Sequence, residues 1–373
     1  MFDLLTLQQY WWLLVSIIGA LFVFMTFVQG GQTLLYTLAK TEDERDVLVN
    51  SLGRKWELTF SSLVMFGGAL FAAFPLFYAV SFGGAYYVWM AILFCFIIQA
   101  VAYEYRKKPD NFYGQRFYEI LLYINGTLGI FLIGVALGTL YSGANFYVDD
   151  MHLSRWATQS YGLEALLNPF NLAFGGMLVL LARVQAGLYF LNNVNEKSIT
   201  DRIKKVVCYN FIPFLILFLY VFGTILFQNG YVYDPKTLYV TVVSTKFLDT
   251  FLLHPSLALG VLLGVLSLLY GVYLGAIKSK RQAIWWSGVG TVVSVTILLF
   301  ILGINNSIYY PSLVDLQSSL SVVNSSGSLY TLEVMSVVSL LVPIVLGYII
   351  YIWRSMDATQ ITIDEVKADS HHY

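Results

Sequence analysis

Nine runs of roughly 20 apolar residues dominate the chain, each long enough to cross the hydrocarbon core of a bilayer as a helix. They lie at about 10–35, 59–80, 84–105, 117–142, 166–192, 208–228, 254–277, 282–303 and 330–353. Lipid offers no partner to a backbone N–H or C=O, so runs of this length fold only as helices. The alternating pattern of a membrane β-barrel is absent. The expected fold is all-α, a polytopic membrane protein with 1–353 as a single transmembrane domain and 354–373 as a short polar tail. Composition agrees, since 58% of the 373 residues are hydrophobic and 12% charged, far from the quarter-charged mix of a soluble domain. A formal net charge of −1 gives no basic surface for nucleic acid, which leaves the lipid bilayer as the surrounding medium.

Lys and Arg set the expected orientation, because connections on the cytoplasmic side carry the excess of positive charge. Seventeen of the 21 fall on one side, leaving Arg155, Lys236 and Lys246 on the other and Arg183 within the fifth run. That puts the N-terminus outside and the C-terminus in the cytoplasm. The opening MFDLLTLQQYWW lacks the basic start and small-residue cleavage site of a signal peptide, so the first helix is expected to be retained. Small residues recur at four-residue spacing in Gly68/Ala72, Gly134/Gly138, Gly260/Gly264 and Gly271/Gly275, rows that let membrane helices approach closely, giving a compact bundle and a means of packing against a partner. Cys95 and Cys208 stand far apart with no CxxC pairing and read as core residues.

The topology gathers charge and amide groups in the cytoplasmic third. Glu57 opens the second helix, Glu104 and Arg106 close the third within AYEYRKK, Gln29 and Gln32 end the first, and Arg183 lies about ten residues before the end of the fifth. An acid at a helix start is favoured by the helix dipole by about 0.3–1 kcal/mol, so Glu57 is either a cap or a collector of protons. Arg106 reads equally as an anchor beside Lys107 and Lys108. Arg183 requires a partner or water, since an arginine at a helix centre costs at least about 2.5–3.5 kcal/mol to insert. Of the four histidines, His152, His371 and His372 lie outside the spans and His254 at the outer mouth of the seventh; with none in a span interior, the chain is not expected to ligate haem by itself. No nucleophile motif, phosphate-cradling loop or metal-ligand spacing is present.

Several stretches resemble subunit II of the cytochrome bd quinol oxidases. ERDVLVNSLGRKWE is similar to that family's connection ending in a tryptophan and an acid, GGALFAAFPLFYA to its second helix, and AVAYEYRKK to the end of its third. GVALGTLYSG, LLNPFNLAFGG, YYPSLVDLQSSLSVVNSSGSLYTLEVM and PIVLGYIIYIW follow in the family's order and spacing. The resemblance implies two four-helix bundles plus one peripheral helix in a bacterial or archaeal cell membrane. It implies a chain without haem, paired with a subunit I that carries haems b and d, oxidises quinol and reduces oxygen to water. It leaves open a bound quinone and a small accessory subunit. Matched by motif, Trp56, Glu57 and Arg106 take positions linked to activity or haem stability, with Glu57 at the proton entry. The chain departs from the pattern at Gln29-Gly30-Gly31-Gln32, where the family has an Asp-Gly-Phe-Asp-like motif, and at Leu58-Thr59, where it has Gly-Asn. Amides cannot release protons at neutral pH. The alternatives are a secondary transporter, which would need broken helices around a midplane site, and a purely structural partner of a haem subunit.

Overall fold

The computed structural model describes residues 3–368. Among them, nine helices are long and apolar enough to cross a membrane: α1 (Leu4–Gln32), α2 (Glu42–Ala73), α3 (Tyr86–Tyr105), α4 (Gln115–Ser142), α5 (Pro169–Asn193), α6 (Lys197–Phe227), α7 (Pro255–Ala276), α8 (Ala283–Gly303) and α9 (Leu329–Met356). The chain is thus an all-α multi-pass membrane protein. α1 to α4 form one four-helix group and α5 to α8 the other, joined where α1 meets α8 and α5 and where α4 meets α5. α1 and α5 are the most enclosed, whereas α9 leans on α1 from outside and is almost wholly exposed.

α1 and α2 begin earlier than expected, at Leu4 and Glu42, and two further boundaries differ for a local reason. α2 ends at Ala73 because Pro75 lacks an N–H and disfavours a helical residue before it; Phe74 is extended in φ at −131°, and the chain resumes as one turn, Pro75–Tyr78, then a π-turn, Ala79–Gly84. α6 begins at Lys197, eleven residues earlier than its apolar run. Its first turns are amphipathic, with Ile199, Ile203 and Val207 buried and the lysines outward, a pattern that periodicity carries and mean hydropathy does not.

The small-residue rows serve mainly the chain's own packing. A Cβ on Gly134 would fall 2.6 Å from Gly175 Cα, one on Gly264 2.4 Å from Ser294 Oγ, and one on Gly271 2.5 Å from the Ser287 nitrogen. Gly68 is the exception, facing open space. Three of the four rows hold the bundle itself together, as close helix approach implies, so they are not free to pack against a second subunit as also expected. Cys95 is buried as expected, but Cys208 is exposed on α6.

The connections that carry most of the Lys and Arg lie at one end of the bundle, here called the basic end. At the far end three short hairpins, Phe146–Val148 with Ser154–Trp156, Gly230–Tyr233 with Val240–Val243, and Ile308–Tyr310 with Leu320–Ser321, knit the connections together. Leu313 N donates to Ala144 O at 2.9 Å, and Ser312 Oγ to Phe146 O. There the Glu164 carboxylate takes donors from Trp156, Thr158, Ser160 and the Gly162 backbone. Burial pushes its pKa up, but those hydrogen bonds outweigh burial and hold it below the ordinary value.

Candidate functional site

The sequence-selected residues do not gather in one place. Gln29 and Gln32, both buried, close α1 and join a hub of side-chain amides with Gln99 of α3 and Asn125 of α4. Gln99 Oε1 accepts from Gln29 Nε2 at 2.9 Å, Gln32 Nε2 at 2.5 Å and Asn125 Nδ2 at 2.6 Å, and Gln32 also donates to Tyr103 Oη at 3.2 Å. Backbone detail makes the hub possible. Asn125–Gly129 is a π-turn within α4, the kind of local unwinding that re-aims a side chain. Gly126 lets that turn lie against Gln29, where a Cβ would fall 2.3 Å from the Gln29 carbonyl oxygen. Gly30 lets α1 reach the α5 backbone, where a Cβ would fall 2.1 Å from Ala182 O.

Arg106 lies beyond the hub towards the basic end and is fully buried. Its Nη2 meets Glu119 Oε1 at 2.7 Å and Asp46 Oδ1 at 2.7 Å, and its Nε meets Glu119 Oε1 at 3.1 Å. Lys107 Nζ closes on Asp46 Oδ2 at 2.5 Å, Arg45 Nε stands 3.5 Å from Glu119, and the Tyr36 hydroxyl donates to Glu119 Oε2. Opposite charges are thus matched within one enclosed cluster, which is what buried ions require. Tyr103 links the hub to Trp56, stacking on its ring with centroids 5.6 Å apart while accepting from Gln32.

Glu57 and Glu104 stand apart from both. Glu104 is exposed and pairs with Lys108 at 2.9 Å along its own helix. Arg106 lies two positions further on, about 200° of helix rotation, so one faces out where the other faces in. Glu57 does not open the second helix as expected, because α2 already begins at Glu42; it is exposed in the first turn after the break at Arg54–Lys55, on the face that carries Phe60, Val64, Gly68 and Phe71. That face borders a groove of about 300 Å³ between α2 and α3, floored by Gly67 and walled by Phe82 and Trp89. Arg183 is half-buried on α5, and its Nε has no hydrogen-bond partner. The single gathering of polar groups expected from depth therefore resolves into an interior hub, a buried ion cluster, two separately exposed acids and a solitary Arg183. Depth was legible in the sequence; which way each helix is turned was not.

The partners Asp46, Glu119, Gln99 and Asn125 were missed by sequence reasoning. A signal existed for Glu119, an acid heading the apolar stretch EILLY. Among the described residues no group of three His, Cys, Asp or Glu side chains is placed to hold a metal ion.

Fold and site together define a helical membrane protein whose polar interior is a network of amides and paired ions. The chain belongs to the cytochrome bd terminal oxidase subunit II family, whose model matches residues 7–356. It is 27% identical to the cytochrome bd-I ubiquinol oxidase subunit 2 of Escherichia coli K12, with 100% of this chain and 99% of that protein aligned. It is 25% identical to the cytochrome bd ubiquinol oxidase subunit 2 of Bacillus subtilis, covering 92% and 93%. In fold it is similar to a chain in the structure of bd oxidase from Geobacillus thermodenitrificans, at a TM-score of 0.63, 11% identity and coverage of 95% and 98%.

Proposed function

We propose that this chain is the haem-free subunit of a quinol oxidase, that it pairs with a haem-bearing subunit I, and that it collects protons for that subunit at Glu57. The basic end is then cytoplasmic, with the N-terminus outside, in a bacterial or archaeal cell membrane. Reduction of oxygen to water consumes a proton for each electron, so a reaction centre inside the membrane needs a supply of protons. A carboxylate at the basic end can accept and release them, whereas the amides of the interior hub cannot.

The observation that carries this reading is the position of Glu57. It is exposed at the basic end of the α2 face that also presents the open groove beside Gly68. A proton taken up there is delivered along the outer surface of α2, where a second subunit would lie, and not through this chain's own core. Absence of haem from the chain is supported by the two described histidines: His152 lies in a far-end connection, and His254 precedes α7 with Nε2 3.2 Å from Asn305 Oδ1.

The test is Glu57→Gln in the purified two-subunit complex. The amide keeps shape and hydrogen bonding but carries no proton, so oxygen consumption slows while the haem spectrum and assembly stay intact. Turnover at the wild-type rate in an intact variant rejects the relay, and loss of haem from the partner reassigns Glu57 to the subunit contact.

A further inference from the structure

The segment after α9 folds back onto the basic end and meets the α2 entrance through one buried carboxylate. Asp357 Oδ1 accepts from Lys55 Nζ at 3.0 Å and from Asn193 Nδ2 at 2.9 Å. Lys55 is fully buried and sits at the break between the two segments of α2, immediately before Trp56 and Glu57. Its ammonium also stands 5.4 Å over the Trp353 ring, a cation–π contact that fixes it further. Asn193, at the end of α5, accepts in turn from Ser51 Oγ at 2.6 Å. A single carboxylate therefore joins α9, α5 and the break in α2.

The rest of the segment is docked as well. Ile361, fully buried, pairs with the strand-like stretch after α5: its N–H donates to Asn193 O at 2.8 Å and its carbonyl accepts from Asn195 N at 3.0 Å. Glu365 meets Arg54 at 2.9 Å, and Lys367 meets Asp43 at 2.7 Å. Those outer pairs are exposed and weak. The Asp357–Lys55 pair is not, because a buried lysine without its counter-charge is strongly disfavoured.

We infer that Asp357 is a positioning residue, which through its buried ion pair with Lys55 holds the Trp56–Glu57 entrance of α2 in register with the bundle. The effect on turnover rests on the reading of Glu57 as the proton collector; the effect on the backbone does not. Lys55 carries the hinge between the segments, since its N–H bonds Leu52 O at 2.9 Å while its carbonyl accepts from Leu58 N at 3.1 Å. Release of its side chain leaves that turn free to open, and local opening is read by amide hydrogen exchange.

The experiment compares Asp357→Asn, Asp357→Glu and a chain ended at Ala358, each in the two-subunit complex, by hydrogen exchange across residues 50–60 and by quinol oxidation kinetics. Asp357→Asn is expected to speed exchange across 50–60 several-fold and to lower kcat with KM for quinol unchanged, and Asp357→Glu to restore both. The shortened chain keeps the pair, so it is expected to exchange faster near 42–46 and 192–196 but not across 54–59. Wild-type exchange in Asp357→Asn overturns the proposal, as does faster exchange across 54–59 in the shortened chain. Faster exchange in Asp357→Asn with unchanged kcat supports the positioning role and counts against proton entry at Glu57, so the two readings fail separately. Should Asp357→Asn fail to assemble, the shortened chain and Asp357→Glu decide: wild-type exchange across 54–59 in both supports the pair as the anchor.

Discussion

Arg106 and Glu119 face each other at 2.7 Å in the closed basic end of the bundle, joining the end of α3 to the first turns of α4. The guanidinium reaches Asp46 of α2 at the same distance, so one side chain bridges three helices. A planar fork with several donors can serve two carboxylates at once; a lysine ammonium is a single point of charge.

Replacement of Arg106 should therefore be severe even where charge is kept. Arg106→Ala leaves two acids enclosed without their shared cation, and breaking a buried pair costs about 3–5 kcal/mol. Arg106→Lys is expected to recover only part of that, because the ammonium cannot hold Glu119 and Asp46 in one geometry. Thermal denaturation of the purified complex, read by loss of the assembled species, orders the variants as wild type, Lys, Ala. Equal stability of Lys and wild type would show that charge alone suffices.

The amide hub predicts an ordering of a different kind. Gln99 Oε1 accepts from three donors, while Gln29 contributes one bond. A buried donor left without an acceptor costs about 1–3 kcal/mol. Gln99→Leu should thus lower thermal stability clearly more than Gln29→Leu, and the reverse order would mean that the hub is not centred on Gln99.

The spans were legible because their length alone decides the matter: a run of roughly 20 apolar residues has no other fold in lipid. Pro75 was in plain view, yet apolarity continues across it, so hydropathy carried the second span past its end at Ala73. Lys197 to Lys205 stayed unread as helix because its burial alternates with charge. The site was harder for a reason of the same kind. Arg106 and Glu104 are near neighbours in sequence and depth, and only the packing of α3 against α2 and α4 turns one inward and the other outward. Ion pairs such as Arg106–Asp46, 60 residues apart, are made by tertiary structure and leave no spacing to recognise.

At the far end, Glu164 predicts a dependence on acidity. Burial opposes its charge, yet the donors from Ser160, Thr158 and Trp156 win and hold its pKa below the ordinary carboxylate value. A depressed folded-state pKa means that the charged form is the stabilising one. Its contribution is complete above the unfolded value of about 4.3 and is lost as pH falls through the lower folded value. Glu164→Gln should therefore be less stable than wild type at neutral pH, with the gap narrowing in acid below about pH 4. Melting curves of both proteins across pH 3–7 read this directly, and a constant gap would rule it out.

Gly68 and Gly30 make opposite predictions from the same residue type. A Cβ on Gly30 would meet Ala182 O at 2.1 Å, a backbone atom that cannot step aside, whereas a Cβ on Gly68 meets nothing within 4 Å. Gly30→Ala should disturb the chain itself, since overpacking a tight helix contact costs about 1–3 kcal/mol or more, and the protein should accumulate poorly whether or not a partner is present. Gly68→Ala should leave the chain unchanged. Gly68→Leu tests what the groove between α2 and α3 is for: the larger side chain fits the free chain, which has open space there, but fills the approach that a neighbouring helix would use. If a second subunit docks on this face, Gly68→Leu lowers recovery of the complex while the chain still inserts and accumulates. Co-purification of the partner at wild-type yield would assign the groove to lipid and move the subunit contact elsewhere on the bundle.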